Sequence, residues 1–160
     1  QILSLMIDLK TPLHPTIDRL IAKLEKHPEV FDPAVNPYAV RVVITGSRPD
    51  PSAFGEFPHF ISFDGFIDVE YTPEQLERVA LISEPFCRYA KWKGGPEPLP
   101  AQEKQVIEQL IAKSHKAGKP IRFWCSPDNA VAWETFRKLG IDIINTDQPE
   151  ACTLYFQQNP

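Results

Sequence analysis

Apolar residues in this chain fall into short runs, each bounded by proline, glycine or polar residues. Runs of this length that are rich in Val, Ile, Leu and Phe are typical of β-strands buried in a parallel sheet. The pattern predicts five strands, over residues 2–10, 40–45, 59–64, 121–125 and 141–145. Thr11 and Pro12 end the first strand, because proline cannot donate a hydrogen bond to a neighbouring strand.

Between these runs, apolar residues recur every three or four positions, which indicates amphipathic helices. Four helices are predicted, over residues 15–27, 73–83, 101–117 and 128–139. The second begins with Thr72 as N-cap, Pro73 at the first helical position and Gln75 three residues after the cap. The last two are each followed by a glycine that ends them, Gly118 and Gly140.

Strands that alternate with helices indicate an α/β fold with a parallel sheet. Five strands suit either a doubly wound open sheet or part of a (β/α)8 barrel. The length of 160 residues suits one domain with a sizeable core. The chain opens on Gln1 rather than on methionine and enters its first apolar run at Ile2, so we expect the carboxyl-terminal part of a longer polypeptide.

Composition and charge exclude several classes of function. A net charge of -4, from 17 Lys and Arg against 21 Asp and Glu, argues against a dedicated nucleic-acid binder. No apolar run reaches the roughly 18–20 residues that span a bilayer, so the chain is predicted not to be transmembrane. The cysteines, Cys87, Cys125 and Cys152, are an odd number without a CxxC motif, which signals neither a disulfide framework nor a zinc site.

Charged or amide side chains stand at or just beyond the carboxyl ends of four of the five predicted strands. Asp8 and Lys10 end the first, Asp64 the third, and Asn145 the last, while Arg122 lies on the fourth. Barrel enzymes and open α/β sheets both place their ligands at this edge. We therefore predict a site there, although a single Asp at a strand end is more often a loop cap.

Asp8 and Lys10 form the sharpest pair, because residues two apart in a strand share a face. A carboxylate in that position can ligate a hard divalent cation, and a lysine beside it can hold a phosphate as a point charge. The alternative is a buried ion pair that ends the strand. The spacing alone does not separate these two interpretations.

Other candidates would contact the substrate itself. Arg122 and Trp124 share a strand face and could bind an anionic substrate and its apolar or sugar part. Trp92 lies in a long loop, where binding residues concentrate, and Asn145 follows a strand. Each also has a structural interpretation, since tryptophan commonly fills a core and asparagine commonly holds a turn.

Helix caps and histidines add little to this site. Asp128 and Asn129 suit the N-cap of a helix better than a ligand. None of the four histidines lies in a position that favours general acid–base chemistry, and no glycine-rich phosphate loop is present. By itself, the chain contains no convincing apparatus for proton transfer.

Several of these motifs resemble one enzyme superfamily. The segment Met6-Ile-Asp-Leu-Lys10 is similar to the hydrophobic-Glu-hydrophobic-Lys strand of glycerophosphodiester phosphodiesterases and phosphatidylinositol-specific phospholipases C. Ile121-Arg-Phe-Trp124, Pro127-Asp-Asn129 and Gly140-Ile-Asp-Ile-Ile-Asn-Thr-Asp147 resemble the closing strands of that superfamily. The Trp-x-x-Pro-Asp-Asn spacing looks most like a bacterial subgroup akin to the fungal "altered inheritance of mitochondria" phosphodiesterase-like proteins.

The resemblance implies a (β/α)8 barrel of which this chain, residues 1–160, supplies strands four to eight as a single partial domain. It implies a phosphoric diester hydrolase of lipid metabolism, acting on a glycerophosphodiester or inositol-phospholipid headgroup, with Mg²⁺ or Ca²⁺ in metal-dependent members. Asp8 then matches a metal-binding carboxylate, Lys10 the phosphate-contacting lysine and Trp124 the substrate-flanking tryptophan. Asp in place of Glu shortens the reach of that carboxylate by one methylene.

The catalytic histidines of the superfamily lie on strands one to three, which this chain does not supply. We therefore expect the isolated chain to be inactive, and to need either the missing N-terminal half or a second copy paired at its open sheet edges. The superfamily suggests a secreted or periplasmic location. Two alternatives remain: a non-catalytic module that binds a phosphorylated headgroup, and a self-contained doubly wound α/β domain.

Overall fold

Five parallel strands alternate with helices in a computed structural model, which describes residues 2–160; Gln1 lies outside the described residues. The strands are β1 (Ser4–Leu9), β2 (Arg41–Gly46), β3 (Ile61–Gly65), β4 (Val79–Pro85) and β5 (Ile121–Trp124). The helices are α1 (Leu13–Leu24), α2 (Pro28–Phe31), α3 (Pro73–Glu77), α4 (Phe86–Tyr89), α5 (Ala101–Lys116), α6 (Ala130–Leu139) and α7 (Pro149–Gln158), with a 3-10 helix over Pro51–Glu56.

The chain divides into two compact units. The first comprises the residues up to Gly65 together with Val69–Ala80, and the second comprises Phe66–Asp68 together with Leu81–Pro160. β4 begins in the first unit and continues in the second.

In the first unit, β1, β2 and β3 pair in the order of the chain. β1 and β2 are in register from Ser4 opposite Arg41 to Leu9 opposite Gly46, and β2 continues the sheet to β3. The centre of β2 is buried because it is flanked on both sides and carries β-branched side chains. The rings of Phe54 and Phe63 stack at a centroid distance of 4.2 Å and anchor the 3-10 helix to β3.

In the second unit, β4 and β5 are parallel, with Ile82 opposite Ile121 and Pro85 opposite Trp124. Phe86 packs edge-on against two rings of this core, with centroid distances of 6.1 Å to Phe123 and 5.3 Å to Phe136.

The order of the strands decides between the two predicted architectures. Along the sheet the order is β1-β2-β3-β4-β5, so each strand lies beside its predecessor in the chain. In a doubly wound sheet, the order in which the chain adds strands reverses at a switch point, so one strand does not lie beside its predecessor in the chain. The prediction of an α/β fold is therefore confirmed, the doubly wound alternative is wrong, and the sheet is compatible with part of an α/β barrel.

Two of the predicted elements are wrong in part. The helix predicted over residues 73–83 ends at Glu77, and Val79–Pro85 forms β4 instead. Its start is as predicted, since Thr72 and Gln75 make a capping box, but pairing in the sheet overrides helical periodicity further on. The strand predicted over residues 141–145 is reduced to a single parallel bridge, between Ile143 and Arg122.

The cysteines also require a correction. Cys87 in α4 and Cys125 directly after β5 form a disulfide, with their Cα atoms 5.7 Å apart. Cys152 in α7 is free and buried. The pair lies 38 residues apart in the sequence, and only the adjacency of β4 and β5 brings the two thiols together.

None of the helices within residues 2–160 combines the length and apolar character needed to cross a bilayer.

Candidate functional site

Polar side chains of neighbouring strands meet at the carboxyl end of the sheet in the first unit. Asp8 of β1 is in register with Thr45 of β2. The Thr45 hydroxyl donates a hydrogen bond of 2.8 Å to Oδ2 of Asp64, which lies on β3. The predicted convergence of Asp8 and Asp64 on one sheet edge is thus present in this unit, with Thr45 between them.

Asp64 is committed to a buried ion pair. Nη1 of Arg48, which follows β2, lies 2.5 Å from Oδ1 of Asp64. The two side chains are only 13% and 4% exposed. Removing one partner of such a pair leaves an uncompensated buried charge, which is strongly destabilising. We therefore infer that Asp64 and Arg48 stabilise the carboxyl ends of β2 and β3.

Asp8 and Lys10 form an ion pair of 2.6 Å, but it is not the buried pair that the sequence left open. The Asp8 side chain is 45% exposed and that of Lys10 is 82% exposed. A pair this accessible contributes little to stability, because water and salt screen it. The two charges remain accessible to a ligand.

The donor set near Asp8 does not fit a divalent cation. Mg²⁺ and Ca²⁺ require about six or more oxygen ligands. Within residues 2–160, no three side chains of His, Cys, Asp or Glu come together in a way that could hold a metal. Asp8 supplies one carboxylate, and the ammonium group of Lys10 already lies against it. The described residues therefore do not form a metal site by themselves.

In the second unit, Arg122 of β5 is held by two neutral oxygen atoms. Nη1 donates to the Ser83 hydroxyl at 3.0 Å, and Nη2 donates to Oδ1 of Asn145 at 2.5 Å. Ser83 lies on β4 in register with Arg122, and Asn145 follows the bridge at Ile143. The structure thus brings Arg122 and Asn145 together. The sequence missed Ser83, because its strand was predicted to be helical.

The two tryptophans predicted to bind substrate have different surroundings. Trp124, at the end of β5, is 43% exposed. Trp92 is only 9% exposed, its indole N–H donates to the Glu97 carbonyl at 2.8 Å, and its ring packs edge-on against Phe136. Trp124 therefore offers an accessible aromatic surface, whereas Trp92 holds its own loop against the core of the second unit.

Asp128 and Asn129 organise the turn before α6. Asn129 is the N-cap predicted from the sequence, since its side chain accepts the Ala132 N–H at 3.0 Å. Asp128 accepts hydrogen bonds from the Trp133 indole and the Asp147 backbone, each at 2.8 Å. Burial alone would raise the pKa of Asp128, but hydrogen bonds from Thr146, Asp147 and Trp133 lower it below its ordinary value.

Glu84 is a buried carboxylate whose environment the sequence did not reveal. It lies on β4 and is 1% exposed. It accepts the Ile67 N–H and the Tyr89 hydroxyl, each at 2.8 Å. Burial, followed by the hydrogen bond to Glu84, raises the pKa of Tyr89 to about 12. Glu84 thereby fastens the short segment 66–68 to β4 within the second unit.

Each of the four histidines pairs with a carboxylate, and none of these carboxylates is Asp8 or Asp64 at the strand ends. The pairs are His14 with Asp18, His27 with Glu29, His59 with Asp32 and His115 with Asp142.

Comparison with known proteins adds no relative. No family model matches the chain, and neither the curated proteins nor the solved structures give a significant match. The fold and the strand-end groups define an α/β protein with polar side chains at the carboxyl edge of a parallel sheet. The resemblance to phosphodiesterases stays a prediction.

Proposed function

We propose that this chain is the carboxyl-terminal part of a barrel that hydrolyses phosphodiesters, with a glycerophosphodiester or inositol-phospholipid headgroup as substrate. The observation that carries the proposal is the arrangement of Arg122 on β5, whose guanidinium is held by Ser83 of β4 and by Asn145, which follows the bridge at Ile143. The sequential order of the parallel strands, which a (β/α)8 barrel requires, supports it.

A positioned guanidinium suits a phosphodiester for a chemical reason. Its planar fork can donate two parallel hydrogen bonds to a phosphate, which matches the geometry of two phosphate oxygens. Trp124 lies two residues further along β5, on the same strand face, and exposes its ring. The ring would cover the glycerol or inositol part of the headgroup.

The first unit, taken by itself, has an exposed cation in Lys10. Its side chain is 82% exposed, and Lys10 directly follows β1, the strand that resembles the lysine strand of the superfamily. It would hold a phosphate oxygen as a point charge. Any divalent cation would need further ligands from outside this chain, so metal binding belongs only to the completed protein.

Catalysis needs a proton donor and acceptor that these residues do not provide. We expect the chain alone to bind a phosphorylated headgroup without turning it over. A non-catalytic headgroup-binding module is the second candidate, because the Arg122 arrangement serves binding equally well and needs no acid–base pair.

Calorimetry with glycerol phosphate and glycerophosphocholine tests the binding that both candidates require. Replacement of Arg122 by Lys should weaken binding roughly tenfold or more, since a bidentate charge-assisted contact becomes a point contact. Arg41→Lys is the matched control, because Arg41 is exposed at the start of β2. Equal affinities for the two variants would refute the role of Arg122.

Turnover separates the two candidates. Release of glycerol phosphate from glycerophosphocholine is measured with this chain and with the same polypeptide extended upstream. Hydrolysis only by the extended polypeptide supports the phosphodiesterase, and binding without hydrolysis by both supports the module. Hydrolysis by this chain alone would show that the requirement for a complementing half is wrong.

A further inference from the structure

A cavity of about 280 Å³ lies at the opposite edge of the first unit from Asp64. Its walls come from the carboxyl end of α1, from α2, and from Pro58–Phe60, which immediately precede β3. β3 therefore separates this cavity, at its amino end, from the polar groups at its carboxyl end. None of the candidate phosphate-binding residues lines it.

Asp32 presents a carboxylate to this cavity. Its Oδ1 accepts both the Ala34 N–H and the Nε2 side of His59, each at 2.8 Å. Among the residues that the structure describes, Oδ2 has no hydrogen-bond partner. The hydrogen bond from Ala34, followed by that from His59, lowers the pKa of Asp32. The second oxygen of an ionised carboxylate is thus available to a donor.

Apolar surfaces surround that carboxylate. Phe31 and Phe60 contribute aromatic rings, and Pro28 and Pro58 contribute further apolar wall. Aromatic rings attract organic cations through their faces. A hydrated metal ion fits such walls poorly, and within residues 2–160 no cluster of side chains suited to a metal includes Asp32.

The charge of the lining residues and the volume of the cavity restrict the class of ligand further. Glu25, at the end of α1, lines the same cavity and adds a second acidic side chain, which disfavours anions. A volume of about 280 Å³ lies just below the roughly 300–1,000 Å³ typical of pockets for drug-sized ligands. The ligand must therefore be a small molecule with a cationic head and a short apolar body.

We propose that this cavity is a binding site for a small organic cation, a primary ammonium or guanidinium ion on a short hydrocarbon chain. The head donates to Oδ2 of Asp32, and the hydrocarbon lies against Phe31 and Phe60. The site is independent of the proposed phosphodiester site, because the two share no residue.

Isothermal titration calorimetry and amide chemical-shift mapping of the whole chain test this. The probes are n-butylammonium and n-butylguanidinium, with n-butanol and pentanoate as neutral and anionic analogues that carry the same n-butyl chain. We expect the two cations to bind and to shift amide resonances of residues 29–32 and 59–60, and the analogues to bind at least tenfold more weakly. Equal binding of n-butanol would overturn the proposal.

Asp32→Asn should weaken binding of both cations roughly tenfold or more, because a charge-assisted hydrogen bond is replaced by a neutral one. Asp50→Asn is the matched control, since Asp50 also accepts a backbone N–H two residues ahead but does not line the cavity. If Asp32→Asn lowers stability too far, the exposed Glu25→Gln should still weaken binding several-fold. Unchanged affinity in a folded Asp32 variant would refute the site.

A lysine side chain of a partner protein carries the same ammonium chemistry. Nα-acetyl-lysine N-methylamide, which keeps its ε-ammonium group, distinguishes a lysine side chain from a free small amine. Weaker binding of the blocked lysine than of n-butylammonium supports the small-molecule site, and tighter binding would overturn it in favour of a peptide.

Discussion

The carboxylate of Asp8 occupies the space that a β-carbon at Gly46 would need. A Cβ on Gly46 would overlap Oδ1 of Asp8 and would lie 2.6 Å from the Leu9 carbonyl oxygen. Gly46 also has φ of +77°, in the left-handed region that side chains disfavour. The last residue of β2 is thus a glycine because its left-handed backbone would place a Cβ against the fixed Leu9 carbonyl oxygen, in space that the Asp8 carboxylate also occupies.

Replacement of Gly46 by Ala should lower the free energy of unfolding by about 1–3 kcal/mol, from backbone strain and from displacement of Asp8. Gly55→Ala is the control, because no atom lies within 4 Å of a Cβ at that position. It should change stability by no more than about 0.5 kcal/mol. Denaturant unfolding measures both, and similar losses for the two variants would contradict the steric argument.

Gly94 and Gly95 provide a second matched pair, in adjacent positions. A Cβ on Gly94 would lie 2.8 Å from Nδ2 of Asn129 and 2.9 Å from Cβ of Pro127, whereas one on Gly95 would meet nothing within 4 Å. Gly94 has φ of +71°. Since Asn129 caps α6, Gly94→Ala should cost about 1–3 kcal/mol through strain and disturbance of that cap.

Gly95→Ala should be close to neutral in the same denaturant experiment. Loss of helical circular dichroism before the main transition in Gly94→Ala, and not in Gly95→Ala, would locate the effect at α6. Equal stability of the two variants would show that the approach of the loop to Asn129 is not a constraint.

Arg78 holds the segment before β3 through backbone carbonyl groups. Its Nη2 donates to Phe57, Pro58 and Ile61 at 3.2, 2.8 and 2.9 Å, and its Nε donates to Ile61 as well. Burial lowers the pKa of Arg78 from its ordinary value. Arg78→Met should cost about 2–4 kcal/mol, because partly buried carbonyl groups lose their donors.

Arg78→Lys should fall between Arg78→Met and the native chain, since an ammonium cannot reach all three carbonyl groups in one plane. Arg41→Met, at an exposed position, is the control and should change stability by about 0.5 kcal/mol or less. A thermal shift as small for Arg78→Met as for Arg41→Met would rule out this bracing role.

Arg78 also explains why β4 was not predicted from the sequence. The capping box at Thr72 is local and correctly marks the start of α3. The end of α3 depends on Arg78, whose partners lie 17 to 21 residues away in the sequence. No local pattern contains that information. By contrast, α6 was predictable because Asn129 and Gly140, which cap it, lie at its own ends.

The residues of the candidate site were likewise predictable only where they lie on strands that the sequence predicted. The pair of Asp8 and Lys10 follows from strand periodicity, and Arg122 and Asn145 were named as separate candidates, but their contact with each other was not predicted. Ser83 could not be found without β4. The disulfide was missed for the same reason, since Cys87 lies in α4, which follows β4 directly.

Tyr89 should make the stability of the second unit depend on pH in the alkaline range. Its pKa is raised from 10.0 to about 12, first by burial and then by the hydrogen bond to Glu84. The neutral phenol is therefore favoured in the folded state. This contribution is fully present below pH 10, where both states hold the proton, and is lost as the pH rises from 10 to about 12.

Tyr89→Phe removes both the titration and the donor to Glu84. It should cost about 1–2 kcal/mol at neutral pH, because one oxygen of a buried carboxylate loses its only hydroxyl partner. The decline of unfolding free energy above pH 10 should then become shallower than in the native chain. Tyr38→Phe, at a side chain that is 83% exposed, serves as the control and should leave both quantities unchanged.

Ultraviolet titration of tyrosinate in the folded state should show one phenol near pH 12 in the native chain that is missing from Tyr89→Phe. Parallel decline of the two stability curves would mean that Tyr89 is not the group responsible.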